Sequence, residues 1–358
     1  MRDRNLVVTG PGRLEIVEEE VAPGPFRVRT LYTGVSAGTE LSYVKGTNPA
    51  LHHSFDPELG LFGAAPEQAW PVTRLGYMEV GRVESSSTPA VTEGTVVAMT
   101  YGHRTGWTGD PLRDRVVPLP ADLDPILGIY VAHMGPICAN GLLHAAADLR
   151  GTDVRSLGDG VAGRRVAVTG AGVVGLLTAL FAKLHGAASV VVLDPTLERR
   201  AVAEALGLET LDPEAADPAV VLKTAWRHTA GDRGADVVFQ CRGQDSALHL
   251  ALRLLRPQGT VVDLAFYQGG AEAVRLGEEF HHNGLGLRCA QIGRVPRGLA
   301  PTWDRERLSA ETVALLRAYG EGVGKHLISA VVPFDEAPAL LMDLAERRRH
   351  ELQAVISC

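Results

Sequence analysis

Val166-Ala-Val-Thr-Gly170-Ala-Gly172-Val-Val-Gly175 runs an apolar strand straight into three glycines spaced G-x-G-x-x-G, with a helix-forming segment behind them. In such a unit the first glycine makes the tight turn, the second lets backbone approach a pyrophosphate, and the third packs helix against strand. The amino terminus of the helix then faces the phosphates. Glycine is common here, at 40 residues, so the pattern needs support from its surroundings. Ser189-Val-Val-Val-Leu193 supplies it: an uninterrupted buried-strand run that ends at Asp194, about 20 residues past the glycines, where a carboxylate hydrogen-bonds a ribose 2′-hydroxyl. That charge repels a 2′-phosphate and favours NAD over NADP. Arg199, near the adenosine end, keeps NADP open as the alternative, and Asp194 can also be read as a cap for the helix starting near Leu197.

At 358 residues the chain exceeds one ordinary core, and two domains are expected. A formal charge of -7 argues against a nucleic-acid partner. No apolar run is long enough to span a bilayer, and the charged amino terminus lacks a signal core. Cys138, Cys241, Cys289 and Cys358 lie too far apart to read as a zinc knuckle or a disulfide framework, so a cytoplasmic setting is the simplest expectation.

From Leu6 to about Pro120 the pattern is short alternating strands broken by Gly and Pro, which predicts an antiparallel barrel-like domain. From about Pro136 helix and strand alternate. Helices are expected over Val173 to His185, Leu197 to Leu206, Ala219 to His228 and Ser246 to Leu255; strands over Val166 to Thr169, Val190 to Leu193, Ala235 to Gln240 and Thr260 to Leu264. This is the signature of a parallel sheet covered on both faces. A strand over Leu287 to Ile292, an amphipathic segment over Arg305 to Tyr319 and a closing strand-helix-strand follow.

The order of these parts, with Thr169-Gly-Ala-Gly-Val-Val-Gly175 and the tail Leu327-Ile-Ser-Ala-Val-Val-Pro-Phe-Asp335, resembles the medium-chain dehydrogenase/reductase family, alcohol dehydrogenase-like, over almost the whole length. The resemblance implies a GroES-like catalytic domain over 1–135, a Rossmann dinucleotide-binding domain over 136–300 and a segment over 301–358 that returns to the catalytic domain. Zinc-dependent members carry ligands in motifs that match Gly34-Val-Ser-Ala-Gly-Thr-Glu40 and Gly76-Tyr-Met-Glu79. Here Ser36 and Tyr77 stand at those places, and Cys138 lies loosely near the third. Hydroxyls and one thiol do not make the usual thiolate and imidazole zinc site, so no metal is expected. Phe280-His-His282, Gln291 and Trp303-Asp-Arg305 resemble a zinc-lacking branch that includes bacteriochlorophyllide dehydrogenase-like proteins.

Without a metal, side chains must handle the proton. His103, just after a strand, is the candidate general acid or base, and an exposed loop histidine is the competing reading. Tyr77 is the candidate donor to a substrate oxygen. Glu40 orients Tyr77, His103 or Thr39, or forms a structural ion pair, while Ser36 and Thr39 offer further hydroxyls. Expected cofactor contacts are Gly170, Gly172, Val173, Val174, Gly175, Asp194 and Arg199, with Cys241, Leu264 and Ala265 at the carboxyl ends of later strands.

The chain therefore reads as a zinc-independent NAD(P)-linked oxidoreductase that moves hydride between nicotinamide and a carbonyl/alcohol substrate in an inter-domain cleft. A reductase of conjugated C=C bonds and a non-catalytic dinucleotide-binding protein are the alternatives. A small-molecule substrate and a homodimer, covering the edge strand 287–292, complete the expectations; neither nucleic acid nor membrane is expected as a partner.

Overall fold

The computed structural model describes residues 2–358. They divide into two units, Met1–His133 with Ile328–Cys358, and Met134–Leu327. The return to the first unit thus begins at Ile328, where the sequence suggested 301.

In the first unit β1 (Arg2–Gly10) and β2 (Arg13–Glu20) form a hairpin, followed by β3 (Phe26–Gly34), helix α1 (Ala37–Val44), a small hairpin of β4 (Ser54–Asp56) and β5 (Leu61–Gly63), and then β6 (Glu79–Ser86), β7 (Val96–Met99), β8 (Gly106–Gly109) and β9 (Val117–Pro118). The second unit opens with helix α2 (Met134–Arg150). Alternating elements follow: β10 (Arg165–Thr169), α3 (Val173–Leu184), β11 (Ser189–Leu193), α4 (Leu197–Ala205), β12 (Glu209–Leu211) and α5 (Pro218–Ala225). A minor hairpin, β13 (Arg227–Thr229) and β14 (Asp232–Arg233), leads to β15 (Ala235–Gln240), α6 (Asp245–Leu254), β16 (Leu255–Asp263), β17 (Gly286–Cys289) and α7 (Arg305–Gly322). The chain re-enters the first unit as β18 (Ile328–Pro333), α8 (Ala337–Ala345) and β19 (Gln353–Ser357).

The first unit is built on a sheet in the order β18-β19-β3-β6-β7-β9, with β8 also paired to β3. Along one side of β3 the partner changes, from β8 at Phe26–Arg29 to β19 at Tyr32–Gly34, while β6 follows the other side with two register shifts. Such irregularities bend a strand and turn a flat sheet into a barrel, and the unit is a GroES-like barrel. The strand pairs within Leu6 to Pro120 are antiparallel, as expected, and the returning β18 and β19 add one parallel pair. Apolar alternation fills two cores, one around Leu6, Val35, Leu75 and Ile356, the other around Phe26, Val28, Val97 and Tyr101.

The second unit is a Rossmann sheet in the order β12-β11-β10-β15-β16-β17, every pair parallel. Numbered within the sheet this is 3-2-1-4-5-6, which reverses direction between β10 and β15. The runs Val166–Val168 and Val190–Leu193 are buried, as strands covered on both faces must be.

Candidate functional site

The glycine loop sits at the carboxyl end of β10 beside that reversal. Gly170 has φ +99, which side chains rarely tolerate, and a Cβ on Gly175 would fall 1.8 Å from the Gly170 carbonyl oxygen. Gly172 differs: it is the N-cap of α3, and a Cβ there would meet nothing within 4 Å. Val173 and Val174 form the first turn of α3 and lie half-buried. The loop therefore has a strained base, a locked floor and an open mouth at a helix amino terminus, the arrangement an anion requires.

Asp194 closes one side. Its Oδ2 accepts the Ala171 N–H and its Oδ1 the Thr196 N–H, each at 2.9 Å, and Arg199 approaches Oδ2 at 3.9 Å with a half-exposed side chain. Both readings of Asp194 are present in one side chain, since it joins the glycine loop to the turn before α4. Each carboxylate oxygen retains a further lone pair.

Cys241 is held at the end of β15 by an N–H bond to the Thr169 carbonyl at 2.9 Å, and burial pushes its thiol well above the ordinary range. The Leu264 N–H donates to the Gln240 carbonyl and the Ala265 N–H to Asp263 Oδ1, both at 2.9 Å. These two donors are spent inside the fold, which leaves only their carbonyls for a carboxamide. The same crest carries a network that the sequence reading passed over. Gln240 Nε2 donates to Tyr267 Oη at 2.9 Å, and Tyr267 donates to Asp263 Oδ2 at 2.9 Å, tying together the exits of β15 and β16. Asn140, on α2, donates to the carbonyls of Ala290, Gln291 and Arg294 and so holds the exit of β17. Strand β17 ends at Cys289, short of the expected Ile292. The signal lay in the sequence, in polar residues directly after buried strands.

In the first unit the residues at 36, 40, 77 and 103 do assemble. Ser36 is the N-cap residue of α1, and its Oγ hydrogen-bonds Tyr77 Oη. Glu40 reaches back along the helix so that Oε1 accepts the Ser36 N–H at 2.8 Å, while Oε2 meets His103 Nε2 at 2.8 Å. His103 Nδ1 lies 2.6 Å from Thr33 Oγ1, which is 3.1 Å from Glu79 Oε1. Backbone bonds from Leu6 to the His103 carbonyl and from His103 to the Leu75 carbonyl fix the ring. Thr39 supplies its carbonyl to Ser42 Oγ.

His103 has 0% exposure. A side chain sealed from solvent, with both nitrogens engaged, is not the exposed loop histidine of the competing reading. Its imidazole is disfavoured as a cation by burial, but Glu40 and Glu79 outweigh that and raise its pKa. Burial pushes the Glu79 carboxyl up to about 7 against the pull of His103. Thr33 has one hydroxyl proton for two neighbours. When that proton goes to Glu79, His103 must donate to Thr33 and is charged; when it goes to His103, Glu79 must be protonated. The Thr33 hydroxyl thus bridges Glu79 and His103.

A zinc ion does not suit these donors. Ser36 and Tyr77 are neutral hydroxyls bonded to each other, and burial raises the Cys138 thiol to about 12 while its Sγ points at the carbonyls of Met134 and Val174. Among the described residues no group of three or more His, Cys, Asp or Glu side chains is arranged to hold a metal. The dinucleotide does suit the loop around Gly172, where an open cradle lies at a helix start.

Residues 173–293 match the family described as zinc-binding dehydrogenases. The D-guloside 3-dehydrogenase of Shigella flexneri is 27% identical over 360 residues, covering 96% of each chain. Among solved structures, a protein of Sinorhizobium meliloti 1021 described as a zinc-binding dehydrogenase and bound to NADP superposes with a TM-score of 0.72 at 20% identity, covering all of both chains. The 2R,3R-butanediol dehydrogenase of Bacillus subtilis does so with 0.73 at 18% identity, over 99% of each. Glycine loop, strand order, barrel and these likenesses agree: residues 173–293 match the nucleotide-binding region of zinc-binding dehydrogenases, the chain resembles alcohol dehydrogenase-like medium-chain dehydrogenases/reductases over its length, and it is an NAD(P)-dependent oxidoreductase.

Proposed function

We propose that the protein is a zinc-independent dehydrogenase that interconverts a secondary alcohol and a ketone, with Ser36 and Tyr77 holding the hydroxyl proton. The observation that carries this reading is the direct bond between Ser36 Oγ and Tyr77 Oη at the two places where zinc-dependent relatives bear ligands. Oxidation of a carbinol removes a hydrogen from carbon with its electron pair and leaves a proton on oxygen. Nicotinamide, when bound, accepts the former. The paired hydroxyls take the latter and, in reduction, donate to the growing oxyanion. Glu40 positions this pair through the Ser36 backbone, and the buried His103 and Glu79 stand behind it.

Asp194 favours NAD, because its buried carboxylate disfavours a second anion beside the ribose. The likeness to a D-guloside dehydrogenase supports a hydroxyl-rich, sugar-like substrate. Strand β17 ends the sheet with Leu287 45% exposed, an edge that a second copy would cover in a homodimer.

The test is nicotinamide absorbance during incubation with polyols, glycosides, ketoses and enones, using deuterated NADH for the reductions. Deuterium on a carbinol carbon supports the reading, and deuterium on a former alkene carbon replaces it with reduction of a conjugated double bond. Turnover lost to a chelator and regained with zinc overturns the metal-independent part.

A further inference from the structure

We propose that His133 is the titrating base of the Ser36–Tyr77 pair, the group through which its proton passes to solvent; this rests on the reading of that pair given above. The His133 imidazole lies against the Tyr77 ring, with centroids 4.5 Å apart and planes at 58°. Both rings are half-buried, whereas His103 is sealed from solvent.

Chemistry demands such a group. An unperturbed phenol titrates near 10, about three units above neutrality, and a serine hydroxyl higher still, so a hydroxyl pair alone has no member that exchanges protons readily at pH 7. Histidine does. His103 cannot deliver a proton to bulk water from its buried position, and His133 is the histidine in contact with the tyrosine.

Ionisable groups near His133 include Tyr77 from the turn before β6 and Arg115 from the segment before β9. Arg115 Nε donates to the Ala132 carbonyl at 3.0 Å, one residue from His133. Glu79, His103 and Glu40 are on the sealed side of the Gly76 turn. In oxidation, the substrate O–H bond breaks, its proton passes to the hydroxyl pair, and a proton already on Tyr77 moves to the imidazole and then to water. Reduction runs the same path backwards. No electrons move in these proton steps.

Two measurements test the assignment, one of them independent of turnover. Phenolate absorbance against pH, taken as the difference between the parent protein and Tyr77→Phe, isolates Tyr77. In the parent this curve carries a step in the neutral range from ionisation of the neighbouring imidazole, and His133→Phe, which keeps a ring against Tyr77, removes the step. Superimposable Tyr77 curves overturn the proposal. In turnover, His133→Phe lowers kcat about 100-fold with KM little changed and erases the neutral inflection of the pH–rate curve, and added imidazole restores part of kcat to His133→Ala. An inflection that survives in His133→Phe but disappears in His103→Gln overturns it as well. If the parent turns over no alcohol, ketone or enone, the reading of the Ser36–Tyr77 pair fails, and the absorbance step alone decides His133.

Discussion

Glu40 Oε2 lies 2.8 Å from His103 Nε2 where both side chains are sealed from water, so neither charge has any other means of solvation on that side. Removing one member strands the other. Glu40→Gln is expected to lower the unfolding free energy by about 3 kcal/mol, read by urea denaturation. Glu40→Gln combined with His103→Gln should recover part of that loss, because no unpaired charge remains.

The pH dependence has a definite sign. Glu79 and His103 both have raised folded-state pKa values, Glu79 about 7 against an ordinary 4.5 and His103 above 6.5. Groups of this kind stabilise the fold fully below their unfolded pKa and lose the contribution as pH rises through the folded one. His144 acts oppositely, since burial lowers it to about 4, and its contribution is gained as pH rises toward 6.5. The parent minus Glu79→Gln difference in melting temperature isolates the first effect. That difference should fall as pH rises from about 4.5 to 7; a flat difference contradicts it.

Gly76 carries φ +98, and a Cβ there would come within 2.9 Å of His103 Cε1. Gly76→Ala is therefore expected to cost about 1–3 kcal/mol from backbone strain and to shift Tyr77 away from Ser36. Turnover should fall more steeply than stability, measured by comparing kcat at a temperature where both proteins remain folded.

The two glycines of the dinucleotide loop separate folding from binding. Gly175→Ala drives a methyl into the Gly170 carbonyl and should destabilise the second unit, seen as a lower melting temperature. Gly172→Ala meets no protein atom, so its melting temperature should match the parent while NADH affinity, followed by fluorescence, falls at least about 10-fold through crowding of the pyrophosphate.

Asp194→Ala should weaken NAD far more than NADP. It removes the acceptor proposed for the ribose and the bond that holds the Ala171 N–H, and it removes the charge that opposes a 2′-phosphate. Equal affinities of the parent protein for the two nucleotides would contradict the NAD preference.

The nucleotide-binding unit was legible because strands buried on both faces need unbroken apolar runs, and Val166–Thr169, Ser189–Leu193 and Ala235–Gln240 have them. Helix α2 was not, because Gly135, Pro136, Asn140 and Gly141 conceal its periodicity. Those residues answer to tertiary demands, Gly135 to the close approach of Thr312 and Asn140 to the β17 exit. The helix expected to reach His228 stops at Ala225, where Trp226 turns into the core and a hairpin begins. At the site, sequence placed Ser36, Tyr77, Glu40 and His103 in one neighbourhood by resemblance. It did not distinguish the sealed histidine from the one on the tyrosine ring, because that depends on contacts among segments distant along the chain.

The hydroxyl bridge from Glu79 through Thr33 to His103 gives the wall behind the hydroxyl pair a further property. A proton that crosses the bridge separates or neutralises a pair of opposite charges without changing the net charge. When negative charge grows on the tyrosine side, the proton can slide toward the histidine, and when that charge disappears it can slide back, so the wall behaves as a polarisable medium rather than as a fixed field.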